Sequence, residues 1–329
     1  MIKASVYGNT DTGRIRSNNE DAFIAQRIWD DKHWLLVVID GLGGYKGGEV
    51  AASIAKSAIL SVVKRNLSKE SLDVIMQAVT EANNSIFKER DSKEELCEMG
   101  CVVTAAILDL RKMQLSVAHV GDTRLYQYDN AGLLKLTHDH SFVGGLEDEG
   151  RITEADAMAH PRRNYVDRIV GDALKDTEAP KFIEASIFPV KKGCQLLLCS
   201  DGLSDMLTSL EISSVLQSKS NVKRKVNQLI SSANEHGGKD NITVVLARID
   251  SFQEKKNLVG RKSSSKEQKQ TSTSPLNRFA KRNRRRILEK VPTPNDFTRK
   301  SSKSLVGIVA LIVVSFIILF SFILIYINL

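Results

Sequence analysis

The chain has 329 residues, 42% of them hydrophobic and 26% charged, an ordinary composition for one large globular domain with appendages. Its net charge of +8 is uneven: residues 251–304 hold sixteen Lys and Arg against four Asp and Glu, a net of +12, and no charged residue follows, so residues 1–250 carry −4. The basic pI therefore belongs to the tail, and charge gives no ground for reading the body as a nucleic-acid binder.

The four cysteines, Cys97, Cys101, Cys194 and Cys199, match no common zinc spacing and fit reduced core residues better than a disulfide framework. The opening MIKASVYGNTDTG lacks the basic start and apolar stretch of a secretory signal, so a cytosolic body is expected.

In chain order, Glu20-Asp21 precedes a short strand at 22–28, and the apolar run at 34–39 reads as a buried strand ending in Asp40. Two helical patterns follow, through Val50, Ile54, Ala58, Ile59 and Val62, then through Leu72, Ile75, Met76, Val79, Ala82 and Ile86. Segments 102–110, 113–120, 124–128 and 133–136 read as an antiparallel meander, with a hairpin at Arg111-Lys112 and a turn at 129–132. A second apolar strand, 195–200, again runs into an acid, Asp201. Thr208 and Glu211 have capping-box spacing, Val222 to Ala233 mark a longer helix stopping at Gly237-Gly238, and 242–249 closes the body as a strand. Paired helices between antiparallel strands favour an α+β layered structure, two sheets with helices outside.

Residues 251–304 read as a basic linker, and residues 305–329, uncharged and mostly Ile, Leu, Val and Phe, are long enough to cross a bilayer as one helix. Arg299, Lys300 and Lys303 at its entrance favour a cytoplasmic body, giving a single-pass, C-terminally anchored membrane protein. The cluster Lys281, Arg282, Arg284, Arg285 and Arg286 is open to solvation, anionic lipid or nucleic acid. Its closeness to the span favours lipid at 281–286, and no nucleic-acid partner is expected.

Four acidic positions stand at changes of local structure: Glu20-Asp21, Asp40, Asp201 and Asp240. Each alone is more simply a turn residue, whereas strands that converge would make an oxygen-rich site suited to Mg²⁺ or Mn²⁺. His138-x-His140 has the look of a metal element, but on a strand two residues apart the pair equally fills a surface or core face, which is the better reading, and His160 reads as polar packing. Gly41-x-Gly43-Gly44 lacks the nucleotide-loop patterns.

Taken together, Gly13-x-x-Arg16-x-x-Asn19-Glu20-Asp21, Val38-Ile39-Asp40-Gly41-x-Gly43-Gly44, Gly121-Asp122-Thr123-Arg124, Cys199-Ser200-Asp201-Gly202-Leu203-Ser204-Asp205 and Gly238-Lys239-Asp240-Asn241-Ile242-Thr243-Val244 occur in that order. The ordered set resembles the PP2C, or PPM, family of metal-dependent protein serine/threonine phosphatases, especially its bacterial members, across residues 5–249. The resemblance implies a four-layer α-β-β-α sandwich with two central, mostly antiparallel sheets. It implies hydrolysis of phosphoserine and phosphothreonine in proteins by a metal-activated water, with two Mn²⁺ or Mg²⁺ ions.

By the same resemblance, Asp40 would bridge the ions and the Gly41 carbonyl would assist one of them. Asp201 and Asp240 would complete the other site, with Glu20 and Asp21 acting through water or just outside. Asp122 with Asp201 would take a weaker third ion, and Arg16, a planar donor, would grip the phosphoryl oxygens. A Ser/Thr kinase and its substrates are the implied partners, and 141–163 resembles the family's variable flap. The family's candidate proton-donor histidines do not transfer: Leu42 and Tyr45 occupy those places. A non-catalytic phosphoprotein scaffold, and a nuclease or small-metabolite phosphatase, remain as alternatives.

Overall fold

The computed structural model describes residues 2–67, 70–174 and 182–251; the expected linker 251–304, beyond its first residue, and the expected membrane helix 305–329 lie outside them. Ten strands and seven α-helices follow one another in this part of the chain. The first half runs β1 (Ile2–Asp11), β2 (Ala22–Ile28), β3 (His33–Leu42), α1 (Gly44–Arg65), α2 (Ser71–Ser92), β4 (Gly100–Asp109) and β5 (Gln114–Val120). The second runs β6 (Arg124–Asp129), β7 (Gly132–Lys135), α3 (Phe142–Asp148), α4 (Glu154–Ala159), β8 (Glu184–Pro189), β9 (Gln195–Cys199), α5 (Asp201–Ser204), α6 (Ser209–Gln217), α7 (Val222–Glu235) and β10 (Ile242–Ser251).

The strands make two five-stranded sheets, ordered β1-β10-β9-β6-β7 and β2-β3-β4-β5-β8, and every named pair is antiparallel. Strand period dictates the layering. In β3, Leu35, Val37 and Ile39 pack into a core with α1 and α2, while Leu36 and Val38 face a second core between the sheets. In β9, Leu197 and Cys199 join a third core with α6 and α7, while Leu196 and Leu198 turn to the layer between the sheets. Three cores thus separate four layers, the α-β-β-α arrangement expected from the resemblance. The capping box at Thr208 and Glu211 forms as expected, and all four cysteines are free thiols.

Two expectations are corrected. The strands at 102–136 are not one meander: β4 and β5 lie in one sheet, β6 and β7 in the other. The chain changes sheet at Gly121, whose φ of +106 ends β5 and turns the backbone away. His138 and His140 lie after β7 in irregular chain and not on a strand.

Candidate metal centre and phosphate cleft

Strand ends bring the acids to one end of the sandwich. Asp40 continues the alternation of Leu36 and Val38, toward the layer between the sheets. Asp201 opens α5 straight after β9, and Asp240 stands two residues before β10. A cavity of about 520 Å³ opens there, lined by Arg16, Glu20, Asp40, Gly41, Asp122, Asp201 and Asp240. Asp21 is not in that wall but behind it, its Oδ2 accepting from Ser200 Oγ at 2.8 Å.

Close backbone approaches fix these positions. A Cβ on Gly41 would lie 2.2 Å from the Gly48 carbonyl oxygen, and one on Gly202 would lie 2.0 Å from that of Asn241. Only glycine lets β3 pass the first turns of α1, or α5 sit against the Asp240 loop. Asn241 then knits the β1–β2 loop to that loop: its Nδ2 donates to the carbonyls of Thr12 and Asn18, both at 2.9 Å, and its Oδ1 accepts from the Glu20 amide at 2.7 Å.

The electrostatics are those of an acidic cluster short of cations. Burial pushes the Asp40 and Asp201 carboxyls well above the ordinary carboxylate range, and neighbouring carboxylates add to it. Burial also lifts Asp21 to about 7 against the opposing hydrogen bonds of Thr243 and Ser200, and Asp122 to about 7 with repulsion from Asp139. Arg16 is the cation in the wall: its Nη2 donates to Asp240 Oδ2 at 2.8 Å. Partial burial works against its charge, but Asp240 above all holds the guanidinium pKa above its usual value.

A divalent cation fits this donor set. Oδ1 of Asp201 is buried and has no hydrogen-bond partner among the described residues, and such an atom is costly unless a ligand meets it. The remaining donors are all oxygen, the preference of Mg²⁺ and Mn²⁺. With a cation bound, the same carboxylates ionise.

A second group with metal-like spacing is different. Ligand atoms of His119, His140 and Glu184 lie within 4.8 Å of one another. Both His119 nitrogens are engaged, Nδ1 with Thr104 Oγ1 at 2.9 Å and Nε2 with the His138 carbonyl at 3.1 Å. Burial drives this ring to a pKa of about 4, so it stays neutral. His140 accepts from the Gly121 amide through Nδ1 at 3.1 Å and donates its own amide to the Gly121 carbonyl at 2.7 Å. His140 thus clamps the turn carrying Asp122.

Leu42 lies in the cleft wall and can carry no proton; Tyr45 falls in the first turn of α1, its side chain outside the described residues. His160 accepts from the Arg162 amide, at 3.1 Å, and its ring lies tilted against that of Phe142, centroids 6.4 Å apart, as packing would have it. Three contributors lacked an assigned role in the sequence reading: Ser200, Asn241 and Asp205, the last bound by Arg163 Nε at 2.8 Å. Each is adjacent to, or a few residues from, a candidate acid, which is the signal that could have found them.

The family model described as Protein phosphatase 2C matches residues 13–247. The serine/threonine phosphatase stp of Listeria monocytogenes serotype 4b (strain F2365) is 36% identical over 245 residues, covering 73% of this chain and 94% of that one. The crystal structure of the Mycobacterium tuberculosis serine/threonine phosphatase PstP/Ppp superposes with a TM-score of 0.66 at 31% identity, over 76% of this chain and 100% of that one. A PstP catalytic domain in complex with two manganese ions superposes with a TM-score of 0.65 at 29% identity, over 76% of this chain and 100% of that one. The chain belongs to the Protein phosphatase 2C family of bacterial serine/threonine phosphatases. It is accordingly a serine/threonine protein phosphatase whose active site depends on Mn²⁺ or Mg²⁺.

Proposed function

We propose that the chain dephosphorylates phosphoserine and phosphothreonine proteins at the cytoplasmic face of a membrane, with Asp40, Asp201 and Asp240 as the metal-holding acids. The observation that carries this reading is the convergence of those three acids and Arg16 on one cleft. Asp40 and the Gly41 carbonyl would hold one ion, and Asp40, Asp201 and Asp240 the other. Glu20 and Asp21 would order the surrounding water, and Asp122 with Asp201 would take a weaker third ion. When bound, a pair of divalent cations acidifies a water and offsets charge gathering on phosphorus.

Arg16 supplies fixed donors to two phosphoryl oxygens, and to do so its Nη2 exchanges Asp240 for the substrate. Asn241 keeps Arg16's loop and the Asp240 loop in register while that exchange occurs. With Leu42 in the wall, no carbon-borne acid at that position protonates the departing serine or threonine oxygen, and ordered solvent does so.

Location rests on residues 305–329 and their basic flank at Arg299, Lys300 and Lys303, with 281–286 against anionic lipid. The catalytic domain would be 1–250, the linker 251–304, and a Ser/Thr kinase with its substrates would share the surface. A tether raises encounter with targets there. Recovery of the full chain in washed membranes checks this; a chain wholly in the supernatant would contradict it.

Turnover of phosphoserine and phosphothreonine peptides by the Mn²⁺-loaded full chain, beside nucleotides and sugar phosphates, tests the substrate class. Peptides are expected to have the higher kcat/KM by about tenfold or more. A preference for nucleotide or sugar phosphate would overturn the reading.

A further inference from the structure

Among the described residues eight large hydrophobic side chains are strongly exposed, and Ile15, 72% exposed, is the one of them that lines the catalytic cleft. An isolated exposed isoleucine calls for no explanation. Ile15 differs in standing on a loop that is pinned on both sides, one residue from the arginine that would grip the phosphate. On its N-terminal side the Thr12 carbonyl accepts from Asn241 Nδ2 at 2.9 Å and the Arg14 amide donates to the Gly238 carbonyl at 2.7 Å. On its C-terminal side the Asn18 carbonyl accepts from the other Asn241 Nδ2 hydrogen at 2.9 Å, and Asn19 Nδ2 donates to Thr10 Oγ1 at 2.9 Å.

Gly13 lets this loop close on its neighbour: its φ is +82, and a Cβ there would lie 2.2 Å from the Asp240 carbonyl oxygen. The loop is therefore set before substrate arrives, and an apolar contact at its tip costs little ordering entropy. The rest of the cleft wall is polar or acidic, apart from Leu42, Val166 and glycines.

We propose that Ile15 sets sequence preference in the substrate: it packs against an aliphatic side chain immediately flanking the phosphorylated residue. The inference rests on the phosphoprotein reading above. Successive Cα atoms of an extended substrate are about 3.8 Å apart, so a phosphate held at Arg16 brings a neighbouring side chain over Ile15. Burying that side chain removes apolar surface from water on both partners. An acidic flank would instead meet the field of Glu20, Asp40, Asp122, Asp201 and Asp240.

The test uses the full Mn²⁺-loaded chain and phosphothreonine peptides identical except for Leu or Asn at the residue before, or after, the phosphorylated one. On one flank the Leu peptide is expected to have a kcat/KM about fivefold higher. Ile15→Ser should bring that ratio near one, and Ile15→Val should keep most of it. Equal rates on both flanks in the unmodified chain, or a preference that survives Ile15→Ser, would overturn the proposal while leaving the phosphatase reading intact. If no peptide is turned over while the folded chain binds Mn²⁺, the phosphoprotein reading fails and the proposal falls with it.

Discussion

Two groups of buried carboxylates meet at Asp122 and Asp201, which line both the acidic cleft and the smaller cavity under α3 and α4, and the chain treats them in opposite ways. Under the helices, Arg124 donates to Asp139 Oδ2 through Nε at 2.9 Å and Nη2 at 2.6 Å, and through Nη2 to Glu147 at 2.7 Å. Lys135 reaches Asp139 at 3.2 Å and also pairs with Asp148. Burial works to raise the Asp139 pKa, yet Arg124 first and Lys135 next hold it below the ordinary value. In the cleft, burial and repulsion push Asp40 and Asp201 well above it. The first group carries its own cations and serves as a brace; the second leaves most of its charge to be met from outside.

The largest effect expected from this contrast is at Asp40. Asp40→Asn keeps the shape and removes the charge that would bridge the cations, so phosphopeptide turnover should fall by roughly a thousandfold or more. Calorimetry should show Mn²⁺ uptake lost or weakened. The metal-free variant should melt above the metal-free parent, because a repelled buried carboxylate has gone. Turnover within about tenfold of the parent would break the comparison at its centre.

The same substitution in the brace should act with the opposite sign on stability. Asp139→Asn strands Arg124, a side chain only 11% exposed, beside a neutral amide. Removing one partner of a buried pair typically costs about 3–5 kcal/mol, and urea unfolding of metal-free protein reads it directly. Retention of Glu147 as a second partner places the expected loss at the lower end, about 3 kcal/mol. A loss under about 0.5 kcal/mol would mean that the brace does not compensate its charges as described.

This contrast was only half visible in the amino-acid sequence. Asp40 and Asp201 stood out because strands buried on both faces read as unbroken apolar runs, and an acid at the end of such a run is conspicuous. The brace was hidden: Arg124, Asp139 and Glu147 lie on a strand, an irregular segment and a helix, and charged residues in such places read as solvated. Partner choice among strands was hidden as well. The apolar character of β5 marks it as a strand, but does not show that Gly121 hands the chain from one sheet to the other before β6. Asn241 was in view only as part of a motif, since its hydrogen bonds span the 223 residues to Asn18.

The smallest expected effect is a difference in pH dependence, and it separates the two groups within one measurement. Asp21 and Asp122 sit at about 7 in the fold against a usual 3.8. An acid whose folded pKa is raised favours the fold in its protonated form, so that contribution is complete below about pH 4 and lost as pH climbs through 7. Cations require the ionised form, and their stabilisation grows over the same interval. In the brace, burial works to raise Asp139, but Arg124 and Lys135 hold it below its ordinary value. Its contribution to stability is present above the usual carboxylate pKa and lost only as pH falls through the folded value, so it is constant from about pH 5 to 7.5. The gap in Tm between Mn²⁺ and chelator therefore reports the cleft alone. At about a hundredfold excess over Kd the gap should be about 2.7 kcal/mol at pH 7.5, or roughly 5–10 °C, and should narrow toward pH 5. A gap of constant width would show that the cleft acids are already ionised without metal, leaving the two groups of carboxylates alike.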